Sequence, residues 1–250
     1  MIRWQRALVT GASSGIGEAF ARQLLGEGVS VIAVARRQDR LQKLSGAEPL
    51  VADLTTDAGL AAVEARLGDV DLLINNAGFG TTGPLVDADP DRMLREIALD
   101  VTAVARLTRS ALPSMVARGS GAILNVSSVV GFFPTPRMAT YAGSKAFVTS
   151  FTESVAEEVK GTGVRVAALC PGLTKTEFQE VSHDGQPRNL PNFAWQSPEE
   201  VARSGLDGLA SGKVVIVPGW HNQAVAAAVQ LTPRGVLRKV TGLAQRARGA

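Results

Sequence analysis

Short apolar runs alternate along the chain with longer stretches in which apolar residues recur every three or four positions. The runs Arg6–Thr10, Val29–Ala35, Pro49–Ala52, Val70–Asn75, Ala122–Val126, Val164–Cys170 and Val214–Val217 are continuous rather than alternating. That pattern predicts seven strands of a sheet covered on both faces. The intervening stretches predict helices over Ile16–Glu27, Asp39–Leu44, Asp57–Leu67, Pro90–Ala117, Thr140–Lys160 and Pro198–Leu209. Strand–helix alternation builds right-handed crossovers, so the expected fold class is α/β with a doubly wound parallel sheet in a single domain, residues 1–250. Residues 173–197 form the longest irregular stretch, the length of a functional loop rather than a connection.

Composition narrows the function. The chain has 250 residues, 45% of them hydrophobic, and a formal charge of only +3. One core of ordinary size follows, and nothing demands a nucleic-acid partner. A single cysteine, Cys170, excludes an internal disulfide, and two histidines, His183 and His221, make a His/Cys metal site unexpected. No apolar run approaches the roughly 20 residues of a membrane span, and the N-terminus lacks a signal peptide's apolar stretch. A soluble cytoplasmic protein is the expectation. Beyond Asp207 there is no acid, while Lys213, Arg234, Arg238, Lys239, Arg246 and Arg248 are basic. Residues 220–250 therefore read as a weakly amphipathic basic tail. Packing on its own domain or on a neighbouring subunit is preferred over contact with an anionic membrane.

The first strand runs into Thr10-Gly11-Ala12-Ser13-Ser14-Gly15-Ile16-Gly17, and a helix follows. Gly11 permits a tight turn, Gly15 lets the backbone approach a pyrophosphate, and Gly17 lets the helix lie close to the sheet. The helix N-terminus adds free N–H groups and a positive dipole end. Ser13, Ser14 and Ile16 share this turn. Gly11–Gly15 also fits the G-x-S-x-G elbow of serine hydrolases, with Ser13 as nucleophile and His183 or His221 as base. The turn follows the first strand, so no earlier strand can supply the usual oxyanion loop, and Gly17 would be unexplained. The dinucleotide reading is preferred.

At the end of the second strand an acid would bind the ribose hydroxyl of NAD. Ala35 stands there instead, followed by Arg36 and Arg37. Guanidinium pairs with phosphate in a bidentate fork, which points to NADP(H). Asp53 and Leu54, ending the third strand, are candidates to face the adenine, with a turn cap as the plainer role for Asp53.

Five motifs occur in order: Thr10–Gly17, Asn75-Asn76-Ala77-Gly78, Asn125-Val126-Ser127-Ser128, Tyr141-Ala142-Gly143-Ser144-Lys145, and Pro171-Gly172. Together they resemble the short-chain dehydrogenase/reductase family, over the chain up to about Gly219. The resemblance implies a Rossmann fold, an oxidoreductase, and a homodimer or homotetramer built through the two long helices. It implies Tyr141 as general acid/base, Lys145 beside it and on the ribose hydroxyls, and a serine 13 residues before the tyrosine, which selects Ser128 over Ser127. Asn76, Ala77 and Gly78 would lie under the cofactor. Pro171, Gly172, Thr176 and, more weakly, Thr174 would hold the nicotinamide end.

An i, i+4 pair shares a helix face. At about 4 Å and an effective dielectric near 20, Lys145 would favour tyrosinate by roughly 4 kcal/mol. The phenol is therefore expected below its ordinary value near 10. Where the family has an asparagine, this chain has Asp100. An ionised Asp accepts hydrogen bonds without donating and would oppose the lowering of Tyr141. A nucleotide-binding relative without turnover is the alternative that this departure raises. Phe132, Phe133, Met138, Phe178, Phe193 and Trp195 fall in the segments that border the family's active site. They suggest a small hydrophobic ketone, aldehyde or secondary alcohol as substrate.

Overall fold

The computed structural model describes residues 4–178 and 194–249. Seven strands lie in one parallel sheet: β1 (Arg6–Thr10), β2 (Ser30–Ala35), β3 (Glu48–Val51), β4 (Leu72–Asn75), β5 (Gly121–Val126), β6 (Val164–Leu169) and β7 (Val215–Ile216). Their order is β3-β2-β1-β4-β5-β6-β7. The reversal falls between β1 and β4, where doubly wound sheets open a crevice at their carboxyl ends.

The continuous apolar runs have a simple cause. Successive side chains of a strand point to opposite faces, and here both faces are covered. Ala7, Val9, Leu72, Ile74, Leu124 and Leu169 join one core with Phe20 and Leu24 of α1 (Gly15–Gly26) and with Leu206 and Leu209 of α7 (Pro198–Ala210). Leu8, Leu73, Ile123 and Val166 face the other way. They pack against α3 (Asp57–Glu64), α5 (Val104–Arg118) and α6 (Ala139–Glu158). A one-turn helix, α2 (Gln38–Leu41), follows β2. Helix starts carry the expected caps: Thr56 accepts from Gly59 N at α3, and Ser197 and Glu200 form a capping box at α7.

One departure from the sequence expectation matters. The helix expected over Pro90–Ala117 is two helices, α4 (Pro90–Ile97) and α5, joined by a wider π-helical turn at Ala98–Ala103. Such turns concentrate at functional sites, and this one carries Asp100. The tail forms α8 (Trp220–Leu231) and α9 (Arg234–Gly249). Asn222 and Ala226 of α8 are buried, while Val236, Val240 and Leu243 of α9 are exposed. Among the described residues no helix is long and apolar enough to cross a membrane.

Candidate active site

The turn after β1 is built as its glycines predict. Gly11 and Gly15 take φ of 68° and 57°, a region that disfavours side chains. A Cβ on Gly17 would sit 2.3 Å from the Gly11 carbonyl oxygen. Thr10 Oγ1 accepts from Asn76 N at 2.9 Å and Ala77 N at 3.0 Å, and Asn76 Nδ2 donates to Thr10 O at 2.9 Å. The end of β4 is thereby clamped to the turn. Ser14 precedes α1 without capping it, since its hydroxyl instead accepts from Arg37 Nη2 at 2.8 Å. The first N–H groups of α1 therefore keep their capacity to donate, and this backbone fits a pyrophosphate.

Arg36 and Arg37 leave β2 beside that turn. Arg36 is exposed. Arg37 donates to Ser13 Oγ and ion-pairs with Glu177 at 3.1 Å, and Arg40 pairs with the same carboxylate at 3.1 Å. Hydrogen bonding to Arg37 is the main force holding the Glu177 carboxyl below its usual range. Ser13 thus accepts from a guanidinium, which cannot take up its proton. His221 sits edge-on to Trp220 at the start of α8, and His183 lies outside the described residues. Among the described residues no histidine is hydrogen-bonded to Ser13, so the hydrolase reading has no base there. Asp53 accepts from Thr55 N and Oγ1 at 3.0 and 2.8 Å, the turn cap anticipated as its plainer role. Leu54 is core.

The structure brings Ser128, Tyr141, Lys145 and Asp100 together where β5 ends against α6. Ser128 begins the 3₁₀ turn Val129–Phe132; its hydroxyl donates to Pro171 O at 3.4 Å, accepts from Val130 N at 3.4 Å, and faces the Tyr141 phenol. Ser127 turns inward, donating to Lys145 O at 2.7 Å and meeting Thr149 Oγ1 at 2.7 Å. Lys145 Nζ donates to Val126 O at 3.1 Å, lies 3.0 Å from Asp100 Oδ2, and stands 5.5 Å from the centre of the Tyr141 ring. Asp100 is fully buried, with Phe79 N donating to its Oδ1 at 3.1 Å. Gly78 packs on that carboxylate, where a Cβ would meet it at 3.0 Å.

The electrostatics correct one expectation. Burial pushes the Tyr141 phenol above its ordinary value; Lys145 and Ser128 oppose this, and Asp100 reinforces it. The lysine is paired as expected, but the desolvation that a sequence does not display outweighs it. Burial works against the Lys145 charge, yet Asp100 and Tyr141 hold the ammonium above its ordinary value. Burial likewise raises Asp100 against the pull of Lys145.

The short chain dehydrogenase family profile matches residues 5–187. The chain belongs to the short-chain dehydrogenase family. A short chain dehydrogenase of Pseudocercospora fijiensis is 42% identical over 79% of this chain and 66% of that protein, so the match spans just under two thirds of that relative. A short-chain dehydrogenase from Sphingobium yanoikuyae, solved in complex with NADPH, is 34% identical with a TM-score of 0.83 over 95% of both chains. The bulky-bulky ketone specific alcohol dehydrogenase from Comamonas testosteroni is 29% identical with a TM-score of 0.78, over 93% of this chain and 96% of that one.

In this short-chain dehydrogenase the remaining candidates are placed as follows. Phe178 packs on Tyr141 with ring centres 5.3 Å apart. Gly80 leaves room over both rings, since a Cβ there would lie 3.0 Å from Phe178 and 3.2 Å from Tyr141. Phe133, Met138 and Trp195 are half-buried, and Phe193 lies outside the described residues. Thr176 overlies Gly15, where a Cβ would meet its methyl group at 3.0 Å. Thr174 bridges to Gln196, closing the base of the 173–197 segment. Gly172 packs against Asn222 of α8. A cleft of 540 Å³ between α1 and Lys175–Glu177 is lined by none of Ser128, Tyr141, Lys145 or Asp100. Cys170 is buried, its thiol pushed up to about 12 by desolvation, and is inert. Among the described residues no cluster of His, Cys, Asp and Glu is arranged to hold a metal.

Sequence reasoning passed over Glu177 and Glu96. The first bridges to Arg37 across 140 residues and left no local signal. The second left one: it lies four residues before Asp100, on a helix already expected to present that acid to the site.

Proposed function

We propose that this protein is an NADP(H)-dependent oxidoreductase, moving hydride between the nicotinamide and a hydrophobic ketone, aldehyde or secondary alcohol. The observation that carries this reading is the convergence of the Ser128 hydroxyl, the Tyr141 phenol and the Lys145 ammonium at the carboxyl end of the sheet, which also holds the glycine turn. The turn from Gly11 to Gly17, with Ser13, Ser14 and Ile16, would cradle the pyrophosphate. Arg36 and Arg37 would take the 2′-phosphate, in keeping with the NADPH in the Sphingobium structure. Asn76, Ala77, Gly78, Pro171, Gly172, Thr174 and Thr176 would line the rest of the groove. The bound dinucleotide supplies or accepts the hydride at its nicotinamide C4.

In reduction, Ser128 holds the substrate oxygen and Tyr141 delivers its proton to that oxygen. A phenol raised by burial stays protonated at neutral pH and suits the acid role in reduction. Lys145 stabilises the tyrosinate left behind, and Asp100 keeps Lys145 charged and oriented. Phe133, Met138, Phe178, Phe193 and Trp195 would form the apolar substrate wall. The bulky-ketone enzyme of Comamonas supports a substrate with two large substituents on the carbonyl.

The test is NADPH oxidation with a panel of bulky ketones and aldehydes, run beside Tyr141→Phe, which should bind NADPH and turn nothing over. A nucleotide-binding role without turnover is the second reading, favoured by the carboxylate at Asp100, which raises the phenol. NADPH binding with no turnover across the panel would establish it. Assembly through the helix pair α5 and α6 is part of the first proposal, and a monomeric mass by light scattering would overturn it.

A further inference from the structure

Glu96 is fully buried at the end of α4, and neither of its carboxylate oxygens has a hydrogen-bond partner. Thr81 Oγ1 lies beside it, also buried and without a bond of ordinary geometry. Every charged group that faces Glu96 belongs to the reaction site or borders it: Asp100 on the next turn, Lys145 and Tyr141 from α6, and Arg92 one turn back. Arg92 is engaged elsewhere, 5.0 Å above the Phe79 ring and donating to Gly80 O at 3.3 Å.

An ionised carboxylate in such a place, with no hydrogen bond, is costly. Charge balance points the same way. Asp100 and Lys145 cancel each other, and the remaining positive charge that faces Glu96, on Arg92, is outweighed by burial. We propose that Glu96 is a proton-positioning residue, storing beside the Asp100–Lys145 pair the proton that refills Tyr141 during carbonyl reduction. This rests on the oxidoreductase reading above. In the proposed sequence Tyr141 gives its proton to the substrate oxygen and recovers one from Lys145. Lys145 is recharged through Asp100 once the Glu96 carboxyl, unbonded in the resting site, turns onto Asp100, and Glu96 reloads from solvent past Arg92 and Thr81. One proton moves and no electrons do. Burial, with Asp100 adding to it, lifts the Glu96 carboxyl to about 7, so it can give up and regain a proton under neutral conditions. Glu96 touches no reacting atom and acts only through Asp100 and Lys145.

The experiment uses full-length wild type, E96Q and E96D. Gln keeps the size and loses the titrating proton, while Asp keeps a titrating group. Wild-type reduction turnover is expected to fall about tenfold per pH unit above 7, and oxidation to rise through the same range. E96Q should lose both breaks and run about tenfold slower in reduction at pH 6, and E96D should restore them. Two readouts stand apart from turnover. The lone tyrosine, followed by its ultraviolet absorbance in the protein without cofactor, should titrate at lower pH in E96Q. Carboxyl ¹³C resonances of wild type labelled at glutamate should show one group titrating between pH 6 and 8. An unchanged pH profile in folded E96Q, an unmoved phenol midpoint, or no glutamate titrating in that range overturns the proposal. Absence of turnover with every carbonyl overturns the oxidoreductase reading instead, and the phenol and ¹³C titrations alone then decide whether Glu96 is coupled to Tyr141.

Discussion

Replacing Glu96 by Gln should make the protein more stable at alkaline pH than at acid pH, relative to wild type. The folded carboxyl sits at about 7 against an ordinary value of 4.5. The folded state therefore binds this proton more tightly than the unfolded chain does. Its contribution to stability is complete below 4.5 and is lost as pH rises toward 7. At 1.36 kcal/mol per unit, the full loss approaches about 3 kcal/mol, of which about 2.5 kcal/mol falls between pH 5 and 8. Glutamine does not titrate. The difference in unfolding free energy between E96Q and wild type should then shift by that amount over that range, in favour of E96Q at the higher pH. Urea unfolding of both proteins at pH 5, 6, 7 and 8 measures it, and the titrating groups that Glu96 does not influence cancel in the difference. A gap that stays constant with pH would mean that Glu96 is solvated or paired in the folded protein, and the burial reasoning would fail.

Three further expectations follow from the same geometry. Arg36→Asp should weaken NADPH far more than NADH in equilibrium titrations, by tenfold or more, because it turns attraction for a 2′-phosphate into repulsion; equal losses would remove Arg36 from the cofactor edge. Ser128→Ala should cut turnover by about a hundredfold with NADPH affinity nearly intact, whereas Ser127→Ala, which strips buried bonds to Lys145 O and Thr149, should cost about 1–3 kcal/mol of stability instead. Kinetics and urea melts on both variants would expose the reverse ranking. Asp100→Asn removes a charge that raises Tyr141, so the phenol absorbance should titrate at lower pH, and a midpoint that stays put would mean Asp100 is already protonated.

The strands were legible because a sheet covered on both faces writes unbroken apolar runs, and the turn at Gly11–Gly17 was legible because its chemistry is local. Ser128 could be separated from Ser127 by spacing, and their hydroxyls do face opposite ways. What could not be read depends on surroundings. The Ala98–Ala103 turn contains no glycine or proline to announce it. Tyr141 and Lys145 share a helix face, but only the fold shows how dry that face is, and dryness decided the direction of the phenol. Arg37 looked like an open phosphate ligand, yet it is already engaged by Ser13, Ser14 and Glu177. The stripe on α9 reads as a packing face, yet Val236, Val240 and Leu243 are exposed.

The wide turn at Ala98–Ala103 also gives the α4–α5 segment slack in length. An α-helix advances about 100° per residue, and a π turn takes up one residue more than an α turn in coming round once. A single deletion within the turn would therefore restore ordinary winding while α4 and α5 keep nearly the same rotational phase. Glu96 and Asp100 would stand three residues apart instead of four if the lost residue lay between them, and both spacings keep two side chains on one helix face. The turn acts as a store of one residue between two helical halves. Homologues that differ there by one residue should be compared by the angular position of their acids, not by column in an alignment.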